Sequence, residues 1–140
     1  MSKALVKPTN TETAFRESLL QLFFEYQELN LFEVDHSLEF GDEEITGVGI
    51  TIYRILQEQF NNTVKYAHAT KVNIELRCRD GVIELIYKDN GEGFDISTIK
   101  KGLGLNNIKN RAIAYNGIVE LESSPGNGCK WTIRFQFSLE

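Results

Sequence analysis

Apolar positions follow two different periods along the first half of the chain. Between residues 13 and 29 they recur at three- and four-residue steps, a spacing typical of an amphipathic helix. Apolar and polar positions then alternate over Leu31–Phe40, which predicts a strand. The segment Gly41–Glu44 resembles a helix start and precedes a long helical pattern from about Ile45 to Tyr66. The first half is therefore predicted as helix, strand, helix.

A hairpin is predicted next. Apolar and polar side chains alternate over Val72–Arg79, and the apolar run Val82–Tyr87 follows after only two residues. Those two residues are Asp80 and Gly81, a pair that favours the tight turn between antiparallel strands. The pattern therefore predicts two paired strands in the middle of the chain.

The last third continues with a helix and a second hairpin. Leu105–Tyr115 has a helical period, and Asn116-Gly117 is a typical helix stop. Ile118–Glu122 and Cys129–Phe137 are predicted as strands joined by a glycine-rich turn. The whole order predicts an α+β fold, a two-layer α/β sandwich with helices packed on one face of a mixed, mainly antiparallel sheet.

Length and composition bound the domain organisation and the class of partner. The chain has 140 residues, which predicts one folded domain over residues 11–137. Residues 1–10 are expected to be a loose lead-in, and residues 138–140 a tail that could derive from an expression vector. No apolar run reaches the ~20 residues of a membrane span, so we expect a soluble, cytoplasmic domain without direct membrane contact. The net charge of −5 disfavours nucleic acid as a partner.

The two cysteines predict no metal site. Cys78 and Cys129 lie far apart and in phase with apolar strand positions. They are interpreted as buried thiols of a protein from a reducing compartment.

Candidate chemistry first appears on the second helix. At about 100° per residue, Glu58, Asn62 and Lys65 lie within about 60° of one another. A carboxylate, a carboxamide and an ammonium group are thus predicted on one stripe. The helix alone leaves open that this stripe is an ordinary solvated face.

Glycines mark the other candidate segments. Asp89 is followed by Gly91 and Gly93, and glycines allow positive φ and close backbone approach to a ligand. A buried carboxylate at Asp89 could accept a hydrogen bond from an amine such as that of adenine. Gly102 and Gly104 precede a helix, where backbone N–H groups attract anions. Each segment by itself is also compatible with a simple turn or helix entry.

The order and spacing of these segments resemble a known family. An asparagine-bearing helix, an Asp-x-Gly-x-Gly motif, a Gly-x-Gly motif that opens a helix and a late glycine turn at residues 126–128 are similar to those of DNA gyrase, the heat-shock ATPase chaperone, histidine kinases and the mismatch-repair ATPase. The segments 53–67 and 102–112, and the seven residues Asp95–Lys101 between the motifs, resemble histidine kinases with a short ATP lid that serve helix-turn-helix response regulators. The resemblance implies the Bergerat-type ATP-binding fold.

The resemblance also implies roles for individual residues. It assigns Asn62 to Mg²⁺, Lys65 to the phosphates and catalysis, and Asp89 to adenine. Glu58 is predicted to orient Mg²⁺-bound water or assist the chemistry, with a structural role beside the lid as the alternative. The residues predicted to bind the cofactors ATP and Mg²⁺ are Asn62, Lys65, Tyr66, Asp89, Gly91, Gly93, Phe94, Gly102, Leu103, Gly104 and Leu105.

The function that the resemblance implies is that of the catalytic domain of a two-component sensor histidine kinase. The γ-phosphate would pass to a histidine on a separate dimerisation domain and then to a response regulator. His36 and His68 lack the sequence context of a phosphoacceptor, so the acceptor is expected elsewhere in the parent protein. An anti-sigma-factor serine kinase and a nucleotide-binding scaffold without transfer activity are the alternatives.

Overall fold

A computed structural model describes residues 12–40, 45, 47–98 and 105–136. Its elements follow in the predicted order. They are α1 (Glu12–Gln27), β1 (Glu33–Glu39), α2 (Gly49–Asn62), a π-helical segment (Thr63–Ala67), β2 (Lys71–Arg79), β3 (Val82–Asp89), a 3₁₀ turn (Ile96–Thr98), α3 (Leu105–Ile113), β4 (Ile118–Ser123) and β5 (Cys129–Gln136).

The strands form one five-stranded sheet in the order β1-β2-β3-β5-β4. The β1–β2 pair is parallel, whereas the β2–β3, β3–β5 and β4–β5 pairs are antiparallel. A parallel pair needs a crossover connection, and α2 with its π-helical segment supplies it. The prediction of a mixed, mainly antiparallel sheet in an α+β fold is confirmed.

The turn between β2 and β3 has the conformation that its sequence predicts. Asp80 and Gly81 have φ values of 52° and 80°. Positive φ at both central residues matches a type I′ turn, whose twist follows that of the flanking strands. The turn pairs Arg79 with Val82 and thereby sets the register of the whole hairpin.

One face of the sheet carries the core, because side chains alternate between faces along each strand. Leu76, Leu85 and Ile133 are paired across three neighbouring strands, and all three are fully buried. The helices cover this face, with Leu56 and Phe60 of α2 also fully buried. The opposite face is charged and is called the open face below.

The bounds of α2 differ from the prediction. The helix begins at Gly49 instead of Ile45, which lies in a bend, while Gly41–Glu44 lie outside the described residues. Its α-helical part ends at Asn62, and the predicted last turn is π-helical. Among the described helices, none is long and apolar enough to cross a membrane.

The prediction of buried cysteines was only partly right. Cys78 and Cys129 are half-buried, since they lie toward the ends of their strands, where fewer neighbours cover the sheet. Burial, with a smaller contribution from Asp89, raises the pKa of the Cys129 thiol to about 12. This thiol therefore stays protonated at neutral pH and is a poor nucleophile.

Candidate functional site

A π-helical segment shapes one wall of the candidate site. Thr63–Ala67 continues α2 with a wider turn and ends at His68, whose φ is 52°. Single π turns within helices occur often at functional sites. Beyond Asn62 the assumption of about 100° per residue fails, so the predicted alignment of Lys65 with Glu58 and Asn62 does not follow.

Asp89 lies at the end of β3 and is 5% exposed. Its Oδ1 accepts a hydrogen bond from the backbone N–H of Gly91 at 2.9 Å, and the Thr63 hydroxyl lies 3.4 Å from Oδ2. Tyr87 and Thr63 share a hydrogen bond of 2.8 Å between their hydroxyl groups. A carboxylate has about four acceptor positions, so Asp89 retains capacity for a further donor.

Burial raises the pKa of Asp89, although the hydrogen bonds from Gly91 and Thr63 oppose the shift. Desolvation disfavours the charged form of a carboxyl group, and a donor that approaches from a ligand would offset that cost. The carboxyl group is therefore placed to recognise an amine.

The loop after Asp89 is held by backbone contacts on two sides. Glu92 donates its N–H to the carbonyl of Ala67 at 2.7 Å, and Gly128 donates to the carbonyl of Gly91 at 3.1 Å. Phe94 donates its N–H to the Ser123 hydroxyl at 2.9 Å. The late glycine turn thus supports this loop from the side of the second hairpin.

Gly91 and Gly93 of this loop exclude a side chain for different structural reasons. A Cβ on Gly91 would lie 2.2 Å from the Ala67 carbonyl oxygen, and one on Gly93 would lie 2.1 Å from that of Ser124. Gly93 has a φ of 69°, whereas Gly91 lies outside the left-handed region. Gly93 thus adopts the positive φ that glycine allows, whereas at Gly91 close packing against backbone excludes a side chain.

A pocket opens between α2, the π-helical segment, β3, β5 and the start of α3. Its cavity volume is about 50 Å³. Apolar and aromatic side chains form most of the wall, while Asp89 supplies an acceptor, which is the common composition of a small-molecule site. The lining residues are Gln59, Asn62, Thr63, Tyr66, Ala67, Tyr87, Asp89, Gly93, Phe94, Leu105, Cys129 and Trp131.

The residues predicted for the site fall into three groups. Six of them line the pocket, namely Asn62, Tyr66, Asp89, Gly93, Phe94 and Leu105. Glu58 is half-buried and Lys65 is exposed, and neither belongs to the pocket wall, while Gly91 packs behind it against Ala67. The third group, Gly102, Leu103 and Gly104, lies outside the described residues.

Sequence reasoning missed several residues of the pocket wall. Gln59 of α2 and Thr63, the first residue of the π-helical segment, were not predicted, and both are buried like Leu56 and Phe60. A polar side chain on an apolar face is itself a signal, since it must find a partner when buried. Trp131, on the last strand, is 3% exposed and also lines the pocket.

The oxygen ligands available at this site are suited to a nucleotide bound with Mg²⁺. Asn62 lines the pocket, and its side chain makes no hydrogen bond to another described residue. Its amide oxygen and the carboxylate of Glu58 are oxygen donors of the kind that Mg²⁺ accepts, and one or two protein ligands suffice when phosphates share the ion. The described residues contain no cluster of three or more His, Cys, Asp and Glu side chains.

Comparison with known proteins places the chain in a family. Residues 47–139 match the model of the histidine kinase-, DNA gyrase B- and HSP90-like ATPases. The chain is 28% identical to the sensor histidine kinase LiaS of Bacillus subtilis over 132 residues, which cover 92% of this chain and 36% of that protein. It is 30% identical to the sensor protein VraS of Staphylococcus aureus over 95 residues, which cover 67% and 27%. The chain thus spans about a third of the length of these relatives.

Solved structures agree on the fold. The histidine kinase domain of the Erythrobacter litoralis EL346 blue-light activated histidine kinase superposes with a TM-score of 0.73 at 14% identity, covering 94% of this chain and 66% of that one. The histidine kinase domain of the E. coli osmosensor EnvZ gives 0.68 at 16% identity, covering 96% and 92%. The chain belongs to the family of histidine kinase-, DNA gyrase B- and HSP90-like ATPases, as a domain homologous to the catalytic ATPase domains of sensor histidine kinases.

Proposed function

We propose that this chain binds Mg²⁺-ATP in the pocket beside Asp89 and transfers the γ-phosphate to a histidine on a separate dimerisation domain of its parent protein. A response regulator would then receive the phosphate. The observation that supports this proposal most is Asp89 itself, a buried carboxylate with spare acceptor capacity beside an aromatic wall. The homology to sensor histidine kinases agrees with it.

The adenine base of ATP would enter the pocket with the edge that carries its amine directed toward Asp89. The exocyclic amine of adenine is a donor, which matches an acceptor-only carboxylate, whereas guanine carries a carbonyl at the corresponding position. Phe94 and Trp131 offer aromatic surface next to that carboxylate, on which a flat ring can pack. The site therefore favours adenine over guanine nucleotides.

The phosphates would lie toward the C-terminal end of α2. Asn62 lines the pocket at that end, and the exposed ammonium group of Lys65 follows within the π-helical segment. A bound Mg²⁺ would neutralise phosphate charge, with Asn62 as its protein ligand and Glu58 as a partner for the bound water. The role of the protein in such a transfer is mainly to position and to stabilise charge.

Phosphotransfer to an isolated dimerisation domain of the parent tests this proposal. With radiolabelled ATP and Mg²⁺, we expect acid-labile, alkali-stable label on that domain, as a phosphohistidine would give. Alkali-labile label on a serine would contradict the histidine as acceptor and favour the serine-kinase alternative. Binding of ATP without any transfer would favour the scaffold.

The variant Asn62→Ala tests the predicted Mg²⁺ ligand in the same assay. The variant should lose label at least tenfold, about 1.4 kcal/mol, because it removes a predicted Mg²⁺ ligand. Asn61→Ala is the matched control, since Asn61 is exposed, does not line the pocket and accepts a hydrogen bond from Tyr26 instead. Equal activity of the Asn62 variant and the control would remove Asn62 from the metal site.

A further inference from the structure

Gln59 is the least satisfied polar side chain in the described part of the chain. It is 1% exposed, and neither its Oε1 nor its Nε2 finds a hydrogen-bond partner among the described residues. The neighbouring buried polar side chains, Thr63 and Asp89, both have partners. Buried carboxamides are almost always hydrogen-bonded, so an unpartnered one indicates a group that is absent from the protein alone.

The position of Gln59 indicates where that group binds. Gln59 lines the same pocket as Asp89, one helical turn before Thr63. The Thr63 hydroxyl lies 3.1 Å from the backbone carbonyl of Gln59 and 2.8 Å from the Tyr87 hydroxyl. These hydroxyl groups have partners in each other, in the backbone and in Asp89, and neither bonds the Gln59 carboxamide, which is left for a molecule that enters the pocket.

We infer that Gln59 contacts the purine ring of the bound nucleotide, with Nε2 donating a hydrogen bond to a ring nitrogen. Adenine presents acceptor nitrogens, N1 and N7, on either side of its amine. The carboxylate of Asp89 accepts the amine but cannot donate to either nitrogen, whereas a carboxamide supplies a donor and an acceptor. Gln59 would thus complete the recognition that Asp89 begins, and this role rests on the proposed binding of ATP in this pocket.

Substitution separates a ligand contact from a structural role. Gln59→Leu removes both polar atoms at similar volume, so the unliganded variant should melt at the same temperature as the wild type or higher. Its affinity for a non-hydrolysable ATP analogue should nevertheless fall about 3- to 10-fold, the usual effect of one hydrogen bond. If Gln59→Leu does not fold, Gln59→Met is used in its place, because methionine keeps the unbranched shape of glutamine. Gln57→Leu is the matched control, because Gln57 lies on the same helix but outside the pocket wall.

Base analogues make the test specific. Calorimetric titrations of wild type and Gln59→Leu would use ATP, 1-deaza-ATP and 7-deaza-ATP, in which a C–H group replaces one ring nitrogen. We expect the wild type to bind one deaza analogue more weakly than ATP, and the variant to bind that analogue and ATP equally, because the coupling requires both partners. Unchanged ATP affinity in the variant, or the same preference in both proteins, would overturn the role of Gln59 while leaving ATP binding intact. Absence of ATP binding by the wild type would instead overturn the proposed function.

Discussion

Polar side chains on the two sides of the sheet differ in their exposure to water and in their hydrogen-bond partners. On the open face, Glu84 accepts hydrogen bonds from Arg77 at 3.1 Å and from Arg134 at 2.9 Å, in register across three strands. All three side chains keep contact with water. On the helix-covered side, Asp89 of β3 and Gln59 of α2 are almost completely buried, and the amide of Gln59 has no partner among the described residues.

The comparison distinguishes polar groups whose partners lie within the protein from polar groups that are available to a ligand. Partnered charges in water contribute little to stability and cost little. A buried polar group without a full set of partners is destabilising, so its presence next to a pocket indicates that a ligand completes it. Single substitutions can change one kind of polar group at a time, and the largest effects are expected at the pocket.

The largest effect is expected from Asp89→Asn. The amide oxygen still accepts from the Gly91 N–H, while the amide NH₂ can donate to the Thr63 hydroxyl, which itself donates to Asp89 in the wild type, so the variant should fold. It replaces an acceptor with a donor where the adenine amine would bind, and ATP affinity should fall about 10- to 150-fold, or roughly 1.5–3 kcal/mol. Calorimetric titration with a non-hydrolysable ATP analogue measures this loss.

Asp80→Asn is the control for that variant. Asp80 lies in the exposed β2–β3 turn, where asparagine tolerates the same positive φ. Its ATP affinity should equal that of the wild type. If both variants bind like the wild type, Asp89 does not contact the base.

Gly91→Ala should destabilise the fold by about 1–3 kcal/mol, because the new Cβ would meet the Ala67 carbonyl and force the backbone apart. Gly126→Ala meets nothing within 4 Å and is strained only by its φ of 83°. Its loss should be smaller, about 1 kcal/mol. Chemical unfolding of both variants provides the comparison, and an equal or smaller loss at Gly91 would contradict the packing explanation.

Asp89 should also make stability depend on pH. Because burial raises its pKa above the ordinary 3.8, the folded protein holds the proton more tightly than the unfolded chain does. The resulting stabilisation is complete below the ordinary value and is lost as pH rises through the raised value. The unfolding free energy of the wild type relative to Asp89→Asn should therefore fall as pH rises above about 4, and a rise would contradict the direction of the shift.

The smallest effect belongs to the open face. Glu84→Gln removes the charge between Arg77 and Arg134 and should cost less than about 1 kcal/mol, with a loss that shrinks as salt is added. ATP affinity should not change. A loss of several kcal/mol in unfolding free energy, measured by urea unfolding, would show that the ion pairs of the open face contribute strongly to stability and would contradict this prediction.

Strand positions were the most predictable part of the molecule. A period of two and the Asp80-Gly81 turn are local properties, so the first hairpin and its register follow from neighbours in sequence. The start of α2 was less predictable, since the Ile45 carbonyl already accepts hydrogen bonds from the N–H groups of Val48 and Gly49 but the regular helix begins only at Gly49. Helix boundaries depend on packing that a periodic pattern does not contain.

The site was predictable in its motif positions and not in its interior. Asp89 and Asn62 could be singled out because they belong to recognisable spacings. The π turn after Asn62 could not be, because ideal helical geometry was assumed through residue 67. Gln59 and Thr63 became visible only when tertiary packing placed them beside Asp89.

Trp131 offers the most direct test of the central claim, that ATP binds in the pocket beside Asp89. It is the single tryptophan of the chain and lines that pocket. In a ¹H–¹⁵N spectrum its indole N–H resonance should shift as a non-hydrolysable ATP analogue and Mg²⁺ are added, together with the backbone amides of Thr63 and Gly93, while that of Glu84 stays in place. Saturating shifts confined to residues of the open face, with an unchanged indole signal, would contradict the account.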